Sequence, residues 1–393
     1  MFLHSSERGS LSEQKPVVAI LGTVGVPGRY GGFETLAENI VRCHDREPRA
    51  FDLAVVCSAD AYPDRPPLFG GAALRYVPLD ANGVQSIPYD VCSLLQSVRR
   101  GDRAVILLGV SGALALPLIR LVSRMRIVTN IDGIEWRREK WRGVARFVLR
   151  ASEWAAVRFS HAVVADNRAI ADYVRQSYGR DCPVIAYGGD HAVEIPPGAA
   201  PEGLPRPGYA LALCRIEPEN NVDMILEAFS TLPDRRLVFV GNWDRSAYGR
   251  ELRTKFAAFP NLTLMDPVYE PAQLRRVREG ASVYVHGHSA GGTNPSLIEM
   301  MHFGVPVLAF NCLFNRFTTE ESARYFSSAS ELADLDSDLP AEDSAAIGAK
   351  MKEIAGRRYT WDVIYRQYSE VLADCAHGLS TLICTDSGYS VAG

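Results

Sequence analysis

Short apolar runs alternate with stretches of helical period along nearly the whole chain. VVAILG (17–22), FDLAVVC (51–57), LRYVPL (74–79), AVILLG (104–109), RIVTNID (126–132), AVVAD (162–166) and PVIAY (183–187) are the strands predicted in the first half. YALALC (209–214), LVFVG (237–241), LTLMD (262–266), SVYVHG (282–287) and VPVLAF (305–310) are those of the second half. The runs are continuous rather than alternating, which predicts parallel strands covered on both faces. Between them, Phe33, Leu36, Ala37, Ile40 and Val41 recur at helical spacing, and Val222, Ile225, Leu226 and Phe229 repeat the pattern. The strand–loop–helix series occurs twice. The expected fold is therefore α/β, with two doubly wound, Rossmann-like parallel-sheet domains facing across a cleft.

A break separates the two series. HAVEIPPGAAPEGLPRPG (191–208) has five prolines and no helical or strand period, and it reads as a stiff, extended linker. The expected division is an N-terminal domain over 1–190, a linker over 191–208 and a C-terminal domain over 209–358. ADLDSDLPAED (333–343) reads as a solvated inter-helix loop. It is no calcium loop, because Leu339 stands at the sixth position and Ala345 at the twelfth. The tail after Gly378 reads as loosely ordered.

Composition narrows the class. Of 393 residues 47% are hydrophobic and 22% charged, enough apolar content to exclude disorder as the main state. The net charge of −4, from 42 basic and 46 acidic residues, argues against a nucleic-acid binder. Eight cysteines without a CxxC pair fit reduced thiols in a cytoplasmic protein. The first residues, MFLHSSERGSLSEQKP, contain no apolar signal-peptide core. The longest apolar run, Ala104 to Ile119, is interrupted by Gly109, Ser111, Gly112 and Pro117, and reads as strand, turn and helix rather than a membrane span.

Ligands of open α/β sheets bind beyond the carboxyl ends of the strands, and four loops there carry candidate chemistry. Gly22 to Glu34 is rich in glycine and runs into a helix, so its backbone N–H groups can approach an anion. It matches neither GxGxxG nor a P-loop, and a flexible turn is the plain alternative. After YALALC, Arg215 leaves a strand end opposite a helix start. It can clamp a phosphate or simply pair with Glu217 or Glu219. After SVYVHG, a diglycine leads into Thr293 or Asn294 as helix cap and Pro295 in the first turn. Glu299 lies one turn in and leans toward that helix end, where a carboxylate can accept ribose hydroxyls. His286 and His288 lack a third metal ligand, and no strand ends in DxD, so no metal is expected.

The fourth loop follows RIVTNID and carries Asp132 and Glu135. Arg138, Arg142, Arg146 and Arg150 then recur every fourth residue on one face of a helix. Val144, Phe147, Val148, Ala151, Trp154 and Ala155 form the other face. From Trp136 to Arg158 seven basic residues face two acidic ones, an excess that points to an anionic partner. Together, glycine-rich helix entries at two facing sheet ends, an Arg, an inward Glu and an Asp fit a nucleotide diphosphate sugar held between the domains.

The stretches GTVGVPGRYGGFETLAENIV, NIDGIEWRREKW, RIEPENN and HGHSAGGTNPSLIEMMHFGVPVLAF resemble the GT-B-fold glycosyltransferases of retaining family 4. The bacterial subgroup with rhamnosyltransferases of capsular and exopolysaccharide assembly is the most similar. The resemblance implies an acceptor-side N-terminal domain, a nucleotide-sugar-binding C-terminal domain, and a last helix over 359–376 packing back on the first. It implies that Asp132 and Arg215 serve catalysis. Gly31, Gly32, Arg215, Asn220, His288, Gly291, Gly292, Thr293, Asn294, Pro295, Ser296 and Glu299 would line the donor. Glu34, Glu135, Arg138, Arg142 and Arg146 would lie on the acceptor or membrane side. Gly291 stands where the family has the first of two paired glutamates, and Asn220 stands for its lysine. The usual histidine of the 130–132 loop is absent. These departures suit a deoxysugar donor.

The implied function is metal-independent, retaining transfer of rhamnose or another hexose to an oligosaccharide or lipid-linked acceptor in bacterial surface polysaccharide biosynthesis. No cofactor is expected beyond the nucleotide sugar substrate. The expected place is the cytoplasm, peripheral at an anionic inner leaflet. The oligomeric state is not legible. The alternatives are a sugar-nucleotide epimerase on the same fold and a noncatalytic two-lobed sugar-binding protein.

Overall fold

The computed structural model describes residues 15–377 except 29–30, 48–49 and 138–141. The tail after Gly378 and Arg138 of the basic stripe lie outside the described residues. The first sheet holds β1 (Val17–Leu21), β2 (Asp52–Ser58), β3 (Leu68–Phe69), β4 (Ala72–Val77), β5 (Ala104–Leu108), β6 (Arg126–Ile131) and β7 (Ala162–Ala165), in the order β3-β4-β2-β1-β5-β6-β7. The second holds β8 (Tyr209–Leu213), β9 (Leu237–Val240), β10 (Leu262–Met265), β11 (Ala281–His286), β12 (Val307–Phe310) and β13 (Arg324–Phe326), in the order β10-β9-β8-β11-β12-β13. Among the described strands only β3 runs antiparallel to its neighbour. Helices α1 (Gly32–Arg46), α2 (Ser86–Arg100), α3 (Leu116–Val122), α4 (Gly143–Phe159) and α5 (Arg168–Tyr178) accompany the first sheet, and α6 (His191–Glu194) packs on the second domain. The rest are α7 (Val222–Ser230), α8 (Ala247–Phe256), α9 (Pro271–Glu279), α10 (Pro295–Met301), α11 (Leu313–Thr318), α12 (Ala329–Ser337), α13 (Ala341–Arg358) and α14 (Trp361–His377).

The central strands are continuous apolar runs because both faces are covered: β1, β2 and β5 are buried almost end to end. α14 returns to the first domain and packs on α1, β5 and β6, with Tyr365 on His44 at 2.9 Å and Tyr368 on Asn130. One hydrophobic cluster runs from Val18 and Leu36 through Tyr187, Leu297 and Trp361 to Leu211, so the two sheets share a core at their junction. No helix among the described residues is long and apolar enough to cross a membrane.

Three expectations are corrected. PVIAY (183–187) is no strand but a single bridge, Ala165 with Val184, because the chain turns there toward the second domain. The stretch 191–208 opens with the helical turn α6 rather than running wholly extended. The acidic stretch 333–343 is the end of α12 and the start of α13, joined by a short turn at Pro340, so most of it is helical. The short strands β3 and β13 carry too few apolar residues to have been visible.

Asp90 on α2 is nearly fully buried, where it accepts the Gly112 N–H at 3.1 Å. Burial pushes its carboxyl up to about 7, and the Gly112 hydrogen bond only partly offsets that. A raised folded-state value means that stability is full below about pH 4 and declines as pH rises toward 7. Asp90→Asn keeps an acceptor for Gly112. It should flatten the fall in melting temperature between about pH 4 and pH 7, and an undiminished fall would clear Asp90 as its source.

Candidate functional site

The carboxyl ends of both sheets meet at a cleft, and the β1–α1 loop forms one lip. Carboxylates from α1 already hold part of that loop. Glu34 accepts the Val24 N–H at 2.9 Å and the Thr23 hydroxyl at 3.3 Å, and Glu38 accepts the Gly28 N–H at 2.6 Å. Gly31 has φ +140°, and a Cβ there would strike the Glu34 carboxylate. Glu34, expected on the acceptor or membrane side, is instead buried and shapes the loop. Gly32 starts α1 and faces the other lip: a Cβ on it would stand 3.7 Å from Pro295 Cγ and 3.9 Å from Tyr187. Two helix entries thus oppose each other across the cleft.

The other lip is the β11–α10 loop. Asn294 caps α10 by accepting the Ser296 N–H at 2.9 Å, and Pro295 takes the first helical position, where a missing N–H costs nothing. The diglycine approaches the first domain rather than open solvent. Gly133 beside Asp132 packs on Gly291, and Gly292 lies against Asp166 at the end of β7. Asp166 is buried and accepts the Thr293 N–H at 3.1 Å, while the Thr293 hydroxyl donates to the Asp166 carbonyl at 2.6 Å. Asn167 adds a bond to Thr293 Oγ1 at 3.1 Å. Burial, and after it the charge of Asp132, pushes the Asp166 carboxyl well up. Asp166 and Asn167 tie the domains together 127 and 126 residues upstream of Thr293.

Arg215 leaves β8 about 40% exposed, 3.7 Å from Glu217 Oε1, loosely enough to turn to a ligand. Asn220 is buried and structural. Its Nδ2 donates to the Arg215 carbonyl at 2.7 Å, and its Oδ1 lies 2.7 Å from His288 Nδ1. Asn220 and His288 therefore fix the β8–α7 loop to the β11–α10 loop, and Ser289 joins them at the Glu219 carbonyl, 3.0 Å away. His286 is buried beside Tyr284, and burial pushes its ring well below the usual value. No cluster of three metal-ligating side chains occurs among the described residues.

Glu299 is buried one turn into α10, but its carboxylate does not stand alone. Arg278 at the end of α9 forms a buried ion pair with Oε2, and His191 Nε2 lies 3.2 Å from Oε1. Trp361 Nε1 donates to His191 Nδ1 at 2.9 Å, which leaves the ring proton on Nε2, aimed at Glu299. Burial pushes the Glu299 carboxyl up, but Arg278 and then His191 outweigh it and hold it below the usual carboxylate value. The sequence reading missed Arg278, His191, Asp166 and Asn167. The pattern RRVRE and the pair DN after a strand are common in soluble proteins, and nothing local marks them as partners of a loop so far along the chain.

Asp132 is exposed at the carboxyl end of β6, at the cleft, and Glu135 opens a 3-10 turn after it. The helix that follows leaves large apolar side chains outside. In α4 the buried residues are Ser152, Glu153, Ala155, Ala156 and Val157, whereas Val144 is 79%, Phe147 73% and Trp154 50% exposed. Arg142 is exposed at the start of α4, while Arg146 and Arg150 stack on Trp136. The apolar face of α4 is therefore turned outward beside the basic one.

Residues 15–190 match the family model described as "Domain of unknown function (DUF1972)", and residues 201–323 match "Glycosyl transferases group 1". Among solved structures, sucrose-phosphate synthase from Thermosynechococcus elongatus aligns with TM-score 0.74 at 14% identity, over 93% of this chain and 100% of that one. HepE from Anabaena in complex with UDP-glucose aligns with TM-score 0.69 at 16% identity, over 91% and 100%. A glycosyltransferase from Rickettsia africae aligns with TM-score 0.68 at 12% identity, over 92% and 99%. At these identities the likeness is one of fold, and the fold is GT-B. No curated protein matches the chain.

Proposed function

We propose that this chain, which carries a group 1 glycosyltransferase domain over 201–323 on a GT-B frame, is a retaining hexosyltransferase of bacterial surface polysaccharide assembly. It would take rhamnose or another hexose from a nucleotide diphosphate sugar to an oligosaccharide or lipid-linked acceptor. One observation carries the reading: two glycine-rich helix entries, at Gly32 and Pro295, oppose each other at the carboxyl ends of two parallel sheets, so close that a Cβ placed on Gly32 would stand 3.7 Å from Pro295 Cγ. The diphosphate would sit by Gly31, Gly32 and the run Gly291–Ser296, with Arg215 swinging from Glu217 to neutralise it. Glu299, kept ionised by Arg278, would accept the ribose hydroxyls.

In transfer, the bond from the sugar C1 to the diphosphate oxygen breaks. The acceptor hydroxyl oxygen bonds to C1 on the same face, and its proton leaves with the diphosphate. Arg215 and the helix entries favour that departure electrostatically, with Asp132 beside the reacting centre. The outward apolar face of α4 with Arg142 and Arg146 supports docking at an anionic inner leaflet, each Arg contributing about 1 kcal/mol.

The test is a panel of nucleotide sugars with and without a lipid-linked acceptor, in excess EDTA. Acceptor-dependent release of nucleoside diphosphate, unchanged by EDTA, is the expected result. Activity that EDTA abolishes and Mg²⁺ or Mn²⁺ restores removes the metal-free mechanism. A donor epimer formed without acceptor, or donor binding with no turnover, removes the transferase reading.

A further inference from the structure

Glu299 is held from two directions. Arg278, at the end of α9, pairs with Oε2 from within the second domain. His191 reaches Oε1 at 3.2 Å from the chain that crosses between the domains. That crossing runs directly over α10: a Cβ on Gly189 would stand 2.9 Å from the Glu299 backbone N. The second crossing, where α13 passes into α14, meets the first at the same place. Gly189 donates its N–H to the Tyr359 carbonyl at 2.7 Å, and the Asp190 carboxylate accepts the Trp361 N–H at 2.9 Å. A Cβ on Gly188 would strike the Trp361 indole.

The two contacts on Glu299 do different things. Arg278 brings the charge. His191 does not, because its Nδ1 accepts the Trp361 Nε1–H at 2.9 Å and so carries no proton. The ring is neutral, and its Nε2–H points at Oε1. What it adds is direction. The last torsion of a glutamate is broad and roughly two-fold, so a carboxylate tied through Oε2 alone can turn about that tie. Tied at both oxygens, its plane is fixed. Trp361 is buried, which fixes the imidazole in turn. Each carboxylate oxygen accepts more than one hydrogen bond, so a lone pair remains on each. The adjacent O2′ and O3′ hydroxyls of a ribose match two oxygens held in one plane. A 2′-deoxyribose offers one hydroxyl and tolerates a carboxylate that turns.

We infer that His191 is a positioning residue of the donor site: by holding the plane of the Glu299 carboxylate it sets a preference for ribonucleoside over 2′-deoxyribonucleoside diphosphates. The inference rests on the transferase reading, which places the donor's ribose at Glu299. His191 itself touches no ligand and acts through Glu299.

Calorimetry on the full chain tests it. The probes are uridine, guanosine and 5-methyluridine diphosphates, each against its 2′-deoxy form. One charged hydrogen bond separates the two forms, so the parent should prefer the ribonucleotide by at least about tenfold. His191→Asn keeps an acceptor for Trp361 but is too short to reach Glu299, whereas His191→Gln still reaches it. The Asn variant should cut the preference to about threefold or less, weakening the ribonucleotide while the deoxynucleotide stays within about twofold of the parent. The Gln variant should retain most of the preference. Both should melt within a few degrees of the parent, since Arg278 still neutralises Glu299. A preference unchanged in His191→Asn overturns the inference, and so does its loss in His191→Gln. Equal weakening of both nucleotide forms also overturns it, because that is what a merely structural His191 would give. A parent that binds ribonucleotide and deoxynucleotide equally overturns it too, and leaves a nucleotide site in the cleft. A parent that binds none of the probes overturns the transferase reading itself, and the inference with it.

Discussion

Arg278→Met should lower the folding free energy by about 3–5 kcal/mol, because it leaves the Glu299 carboxylate buried without its main cation. Glu299→Gln should destabilise similarly by stranding Arg278. The double variant Arg278→Met/Glu299→Leu should recover most of the loss, since an apolar pair of similar volume replaces a buried ion pair at little net cost. The parent should also lose stability as pH falls, because Glu299 titrates below the usual carboxylate value and its contribution is present only above it. A chemical-denaturation cycle over the four proteins decides the matter. Purely additive losses would show that the two groups do not stabilise each other. Ribose binding is read separately at low temperature, where Glu299→Gln stays folded. Removing a charged hydrogen bond should cost about 1.5–3 kcal/mol, roughly 10- to 150-fold in nucleoside diphosphate affinity. An unchanged affinity would take Glu299 out of the donor site while leaving its structural pairing intact.

That pairing also marks what the sequence could and could not disclose. Strands such as β1 and β5 were legible because a parallel strand buried on both faces needs an unbroken apolar run. The entry to α10 was legible because a cap, a proline and a diglycine act within a few residues of one another. What stayed hidden depends on distance along the chain. Glu299 reads as a lone carboxylate until Arg278, 21 residues earlier, is brought beside it. Glu34 reads as an exposed first-turn acid until the loop before it folds back onto its carboxylate. In α4 periodicity separates an apolar face from a basic one but carries no sign of which is buried. Helices that pack inward and helices that present an apolar face to a partner share one period. The exposure of Phe147 is a property of its neighbours, with Ala155 and Ala156 small enough to let the helix seat on its other side.

The same reasoning across the domain junction makes Gly292 the position where one methyl group should do most harm to activity. A Cβ on Gly292 would fall within the carboxylate of Asp166, which cannot simply swing away. Its Oδ2 accepts the Thr293 N–H at 3.1 Å, its backbone carbonyl accepts the Thr293 hydroxyl at 2.6 Å, and Asn167 next to it is bonded to the same threonine. The methyl therefore has to part the two lips at the place where Asp132 and the α10 entry are meant to meet. Gly292→Ala should lower kcat/KM by about 100-fold, equivalent to about 2.7 kcal/mol of transition-state stabilisation. Melting temperature should fall by only a few degrees, since the sheet cores on either side are untouched. The glycine could instead be needed because a methyl there blocks the donor diphosphate, and a second substitution separates the two causes. Asp166→Ala in the Gly292→Ala background removes the carboxylate that the methyl meets and lets the lips close again. Recovery of tenfold or more in kcat/KM over the single variant is expected if domain contact is what the glycine serves. No recovery in a double variant that still melts cooperatively would assign Gly292 to the approach of the diphosphate, and would leave Asp166 as a fastening between the domains with no part in making room for that glycine.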